Sequence, residues 1–171
     1  YLNNPYRSAR YLDPNVAAGF AWQPEVYPNT RNSTAASINA QYFVWYRAAI
    51  HGMYRFYSDS WGVDSSTIRV GYTHPLGDRW IVEAGYRWYD QSAADFYSDL
   101  FPRQDAQNFL ARDKELSTFT SHMFSVGATY ELPSFGWALV QRSTVNLFYD
   151  RMLFDYDDFR DITAGGAAGA E

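Results

Sequence analysis

Residues 79–89 read RWIVEAGYRWY, and nearly every second residue is of one kind. Trp80, Val82, Ala84, Tyr86 and Trp88 are apolar or aromatic, while Arg79, Glu83, Gly85 and Arg87 lie between them, with Ile81 the exception. A period of two is that of a β-strand whose faces meet different media. Rings on one face and charges on the other, over about 9–11 residues, suit a strand with a lipid side and a wet side. A soluble sheet strand alternates in the same way, so the reading depends on recurrence.

The pattern recurs. In 37–46, Ile38, Ala40, Tyr42, Val44 and Tyr46 oppose Asn39, Gln41, Phe43 and Trp45. In 50–57, Ile50, Gly52, Tyr54 and Phe56 oppose His51, Met53, Arg55 and Tyr57. Segments 67–74, 118–132 and 139–149 alternate likewise, giving six expected strands with 79–89. The wet face then collects Arg55, Arg69, Glu83, Arg87, Glu131 and Arg142, the candidate lumen-facing set. Gly71, Gly85 and Gly127 on that face leave room for long side chains opposite. The candidate aromatic girdles are Tyr46, Trp80, Tyr130 and Trp137 near one end of the strands, and Tyr54, Phe56, Tyr86, Trp88 and Tyr149 toward the other.

Antiparallel strands send alternate connectors to opposite ends. The long connectors, 3–34, 58–66, 90–117 and 153–171, all fall on one side, and the short ones, 47–49, 75–78 and 133–138, on the other. The short set carries turn chemistry, such as Pro75-Leu76-Gly77-Asp78. Long external loops and short periplasmic turns are the rule in bacterial outer-membrane barrels, whereas a soluble sandwich has no reason to segregate its loops.

Composition agrees. With 171 residues, the chain fits one domain. Its net charge of -5 and pI near 5.1 speak against nucleic acid, which wants a basic patch. Cysteine is absent, which excludes disulfides and Cys-based metal sites. No apolar run approaches the ~20 residues a transmembrane helix needs, and mean hydropathy is negative, yet aromatics make up 19%. Aromatic excess without apolar runs is the mark of a membrane barrel. No signal-peptide pattern opens the sequence. Six strands are too few to close a barrel, since single-chain bacterial barrels start at about eight. The chain is therefore expected to be a fragment of a larger barrel or one contributor to a multi-chain one. The opening Tyr1-Leu2 and the Gly/Ala-rich end point to a fragment.

Catalysis is not expected. His51, His74 and His122 are dispersed on different strands, so no metal or other cofactor is assigned. The acidic run 155–161 lacks the Gly and Glu of a calcium loop, and reads as a solvated loop able at most to bridge lipopolysaccharide through divalent cations. No serine has the setting of a nucleophile elbow. The charges in 90–117 are mixed, with a short helix expected near 105–114. In a narrow barrel Arg55, Arg69 and Arg87 would pair with Glu83 and Glu131 and fill the interior; in a wide one they would line water.

A resemblance adds to this reading. Tyr54-Arg55-Phe56-Tyr57, Asp59-Ser60-Trp61-Gly62, Leu76-Gly77-Asp78-Arg79-Trp80 and the run QSAADFY at 91–97 resemble the C-terminal part of the bacterial outer-membrane barrel family catalogued as domain-of-unknown-function family 3570. The start Asn3-Asn4-Pro5-Tyr6-Arg7 is similar to that family's post-strand loop. The resemblance implies a Gram-negative outer-membrane location and no established activity. It also implies gene neighbours tied to periplasmic flavin attachment and thioredoxin-like proteins, hence partners among envelope proteins of a redox-linked complex besides lipid and lipopolysaccharide. A further strand ending on an aromatic residue is expected after Glu171. The fold expectation is thus an antiparallel up-and-down transmembrane β-barrel segment, porin-like in acting as scaffold or passage. The alternative is a docking barrel with a closed lumen whose long loops hold a partner.

Overall fold

The structure, a computed structural model, describes residues 8–133 and 143–160. A hairpin of β1 (Ser8–Leu12) and β2 (Phe20–Pro24) precedes a six-stranded sheet. The sheet comprises β3 (Ser33–Phe43), β4 (Ala49–Asp59), β5 (Asp64–Leu76), β6 (Trp80–Gln91), β7 (Phe119–Leu132) and β8 (Ser143–Tyr156). Each strand pairs antiparallel with the next, so the sheet is an open meander with β3 and β8 as its edges. It is not a closed barrel. The described residues contain only two single-turn 3-10 segments and no α-helix. Strands of 11 to 14 residues exceed the usual globular length of about 5–6.

The registers stack the alternation into continuous rows. One face carries the rows Ile38–Tyr54–Ile68–Trp88–His122–Leu153, Ala40–Gly52–Val70–Tyr86–Phe124–Arg151 and Tyr42–Ile50–Tyr72–Ala84–Val126–Tyr149. Two further rows on this face are His74–Val82–Ala128–Leu147 and Leu76–Trp80–Tyr130–Val145. The opposite face carries the arginines and glutamates. It is concave, holding a trough of about 780 Å³ lined by residues of all six strands. Small residues on the inside of the curve relieve crowding there. Gly71 and Gly85 are directly paired. Gly127 lies under the Phe148 ring, where a Cβ would come within 2.5 Å of ring carbons.

Apart from Ala48 and Ala49 at a turn, the buried apolar residues lie not in the sheet but in a layer at one end of it. There Val63, Ala94, Phe96, Ala111 and Leu116 form one cluster, with Tyr27, Tyr57, Trp61 and Tyr97 against it. Ala9, Phe101 and Leu110 form another. The sheet's aromatic face has no such cover: Ile38, Tyr42 and Leu147 are 69%, 72% and 74% exposed.

Several expectations are corrected. The connector 3–34 is no plain loop, because it contains the β1–β2 hairpin and ends inside β3. Connector 58–66 shrinks to 60–63, as β4 and β5 run further and Asp59 organises a tight turn. The turns 47–49 and 75–78 become 44–48 and 77–79, and 90–117 becomes 92–118. The loop from 153 begins only after Tyr156, since Asp155 occupies an outward position above the apolar rows, where charge is tolerated. The helix near 105–114 is absent; a single 3-10 turn, Lys114–Leu116, stands there instead. Tyr46 is not on a strand but in a turn with φ 57°. Turn 133–138 lies, after Pro133, outside the described residues, as do Trp137 and Arg142.

Candidate functional site

Among the described residues, polar chemistry converges on the trough and on the loop layer at one end of it. Arg55, Arg69, Glu83, Arg87 and Glu131 all lie on the charge-bearing face, as their parity requires. The registers also fix their depth. From the loop layer downward, the levels hold Arg55, then Arg69 directly opposite Arg87, then Asp150 with His51, then Glu83, then Glu131. Below Asp59, which Arg31 pairs at the loop-layer end of β4, the cations of these levels lie nearer the loop layer and the anions farther from it. Arg55, Arg69 and Arg87 do not pair with Glu83 or Glu131: among the described residues the ion pairs lie in the loop layer. The Glu83 carboxylate accepts from Thr73 Oγ1 at 3.4 Å. Arg87 reaches Ser121 Oγ at 3.5 Å and sits 5.8 Å from the Tyr89 ring, while its Nε is buried without an acceptor.

The loop layer is built from long-range polar bonds. Asp99 bridges two arginines: Oδ2 accepts from Arg10 at 2.6 Å and Oδ1 from Arg112 Nε at 2.9 Å. Arg112 is 1% exposed, donates to the Arg160 carbonyl at 2.5 Å, and lies 4.9 Å from the Phe159 ring. Its backbone N–H donates to Glu25 at 2.7 Å, tying the hairpin side to loop 92–118. Burial pushes the Arg10 guanidinium below its ordinary value, as does the charge of Arg112, with Asp99 opposing. Burial, with Asp158 and Asp99 nearby, raises the Tyr97 hydroxyl. Asp59, at the loop-layer end of β4, accepts from Arg31 at 2.7 Å, Tyr57 at 2.8 Å and the Trp61 and Val63 N–H groups at 2.8 and 3.2 Å. Burial alone would raise its carboxyl, but these bonds outweigh it and hold the group below the usual carboxylate range.

Part of the loop layer folds inward. A cavity of about 420 Å³ is lined by Tyr27, Arg31, Trp61 and Glu115 from the loops and by the inward strand residues Arg55 and Tyr89, among others. It adjoins the upper end of the trough, so the loops narrow the mouth.

The girdle candidates divide. Trp80 and Tyr130 are cross-strand partners with ring centroids 4.6 Å apart, at the end away from the loop layer. Tyr54, Phe56 and Trp88 point outward toward the loop-layer end. Tyr86 and Tyr149 are outward too but mid-strand, because β6 and β8 extend further than the alternation suggests. His122 and His74 point outward, each bonded by a tyrosine hydroxyl, Tyr86 at 2.8 Å and Tyr72 at 2.6 Å. His51 faces the trough and meets Thr73 Oγ1 at 3.2 Å. Among the described residues no three His, Asp or Glu side chains gather as metal ligands. Alternation in 139–149 sets Asp150 opposite Val145, Leu147 and Tyr149, and the trough holds it, although the candidate lumen-facing set leaves it out. Sequence reading missed the Arg10–Asp99–Arg112 cluster, for which no local signal exists.

The family model described as "Protein of unknown function (DUF3570)" matches residues 1–142, and the chain belongs to that family. No curated protein and no solved structure matches it.

Proposed function

We propose that this chain forms part of the wall of a β-barrel in a bacterial outer membrane, with the aromatic face to lipid and the charged trough to water. In this reading the protein is a scaffold or passage and performs no catalysis. The observation that carries it is the uncovered convex face. Five successive apolar rows, spaced over eight residues of β5, extend about 27 Å along the strand. At the usual tilt this is about 20 Å of height, on the scale of a barrel's lipid-facing band. An exposed apolar surface of that breadth, built from six adjacent strands, is foreign to a soluble monomer. Tyrosine partners for His74 and His122 fit the same reading, because a polar ring facing hydrocarbon needs a hydrogen bond. Lipid and lipopolysaccharide are the partners this implies.

Single-tryptophan variants reconstituted into bilayers with brominated acyl chains test it. Trp80 and Trp88 are expected to be quenched, and Trp61, in the loop layer, spared. Equal shielding of all three overturns the membrane reading. A second reading, a docking barrel with a closed lumen that joins other envelope proteins, is favoured by the loops folded across the mouth. Planar-bilayer recording separates the two: single-channel steps support the passage, and silence supports docking.

A further inference from the structure

We infer that Arg55, Arg69 and Arg87 form a binding station for a small oxyanion, such as a phosphate or carboxylate group, on the trough wall. The inference rests on the barrel reading for the route by which a solute arrives, while the station itself stands on the geometry of the concave face. Three observations carry it. Arg69 and Arg87 are directly opposite on neighbouring strands, an arrangement that is unfavourable when nothing lies between the charges. Arg55 is one level up, on the diagonal from Arg69.

Next, none of the three is ion-paired among the described residues, although Glu83 and Asp150 lie on the same face. The loop layer shows what this chain does with structural arginines. Arg10, Arg31 and Arg112 each hold a carboxylate at 2.5 to 2.9 Å. Arg69 and Arg87 line the trough a level or more above Asp150 and Glu83, and Arg55 lines the adjoining cavity, which Glu115 shares without pairing with it.

The remaining observation is the Arg87 Nε, buried and without an acceptor. That atom is shielded from solvent, but Arg69 and Arg87 both line the trough, and a guanidinium facing a hollow presents a planar fork, which matches the two oxygens of a carboxylate or phosphate. The hydroxyl of Ser121 on one side, and the Met53, Met123 and Met152 side chains at the same level, frame the position with groups that do not compete for it.

The test uses the natural full-length protein purified in detergent, with radiolabelled inorganic phosphate in equilibrium dialysis. Saturable binding is expected, weakened about tenfold or more in the Arg69→Gln/Arg87→Gln double variant. The Arg69→Lys/Arg87→Lys variant keeps the charge but loses the fork, and is expected to lie between the two. No saturable phosphate binding, or binding that the glutamine pair leaves unchanged, overturns the station. In planar bilayers the wild type is expected to prefer anions under a salt gradient, with the reversal potential moving toward the cation side in the glutamine variant. A reversal potential that does not move also overturns the station. Absence of any conductance overturns the passage reading alone, and the dialysis result then decides the station.

Discussion

Asp59 shows how one carboxylate organises a boundary between sheet and loops. Its Oδ1 accepts the N–H groups of Trp61 and Val63, closing the turn 60–63, and its Oδ2 accepts from Tyr57 and Arg31. Arg31 in turn lies 4.4 Å from the Trp61 ring. Gly62 completes the turn at φ 83°, a conformation that suits glycine. The folded carboxyl titrates below its ordinary range. A depressed folded value means the stabilisation is fully present above the ordinary aspartate value and lost as pH falls through the folded one. Trp61 fluorescence is therefore expected to hold steady at pH 5 and to change only at pH values below the ordinary aspartate range. Asp59→Asn removes two acceptor bonds to charged or hydroxyl donors, and is expected to destabilise the loop layer by roughly 1–3 kcal/mol. Denaturant titration followed at Trp61 checks this; a variant as stable as the parent sinks the account.

Among the strands, β8 departs most from simple alternation. Its outward residues are Val145, Leu147, Tyr149, Leu153 and, among them, Arg151, which pairs in register with Phe124. An arginine on a lipid-facing strand costs about 2–4 kcal/mol at mid-depth and about 0–1 near the headgroups. Arg151 is in the second of five apolar rows from the loop layer, which in the proposed membrane setting puts so long a side chain within reach of the headgroup level. Arg151→Leu is accordingly expected to stabilise the bilayer-reconstituted protein by about 1 kcal/mol. Chemical unfolding from vesicles measures it, and a loss of stability would place that face in water. For the six sheet strands, existence and facing were legible, because parity survives any error in the ends: the described lumen candidates share one face of the sheet. The ends were not legible. Asp155 and Asp157 look like loop to a reader of charge, yet β8 continues past Asp155 because charge is acceptable above the apolar rows. The β1–β2 hairpin escaped for a related reason, being short strands inside a connector rich in Pro and Asn, though Gly19 and Asp13-Pro14-Asn15 mark its turn. The loop layer was invisible for a stronger reason. Its decisive bonds join residues 89 and 87 positions apart, such as Arg10 with Asp99 and Glu25 with Arg112, and no periodicity encodes such a meeting.

At the scale of the whole molecule, two kinds of cohesion are kept apart. The sheet is held by its backbone ladders and leaves its convex face uncovered, whereas the loop layer has its own apolar clusters and buried ion pairs. The depth order of the strand charges belongs to this scale, since no single strand contains it: Arg55, Arg69 and Arg87 come from three strands, and Asp150, Glu83 and Glu131 from three, with β6 alone shared. In the proposed barrel such an order gives this stretch of wall a standing electric polarity along its length. A conducting form inserted in one direction is expected to behave as a diode, passing more current at one sign of voltage than at the other. Flipping the direction of insertion reverses the asymmetry, and neutralising Glu83 together with Asp150 reduces it. Symmetric current–voltage curves from singly oriented channels would mean that this polarity is cancelled by the rest of the wall.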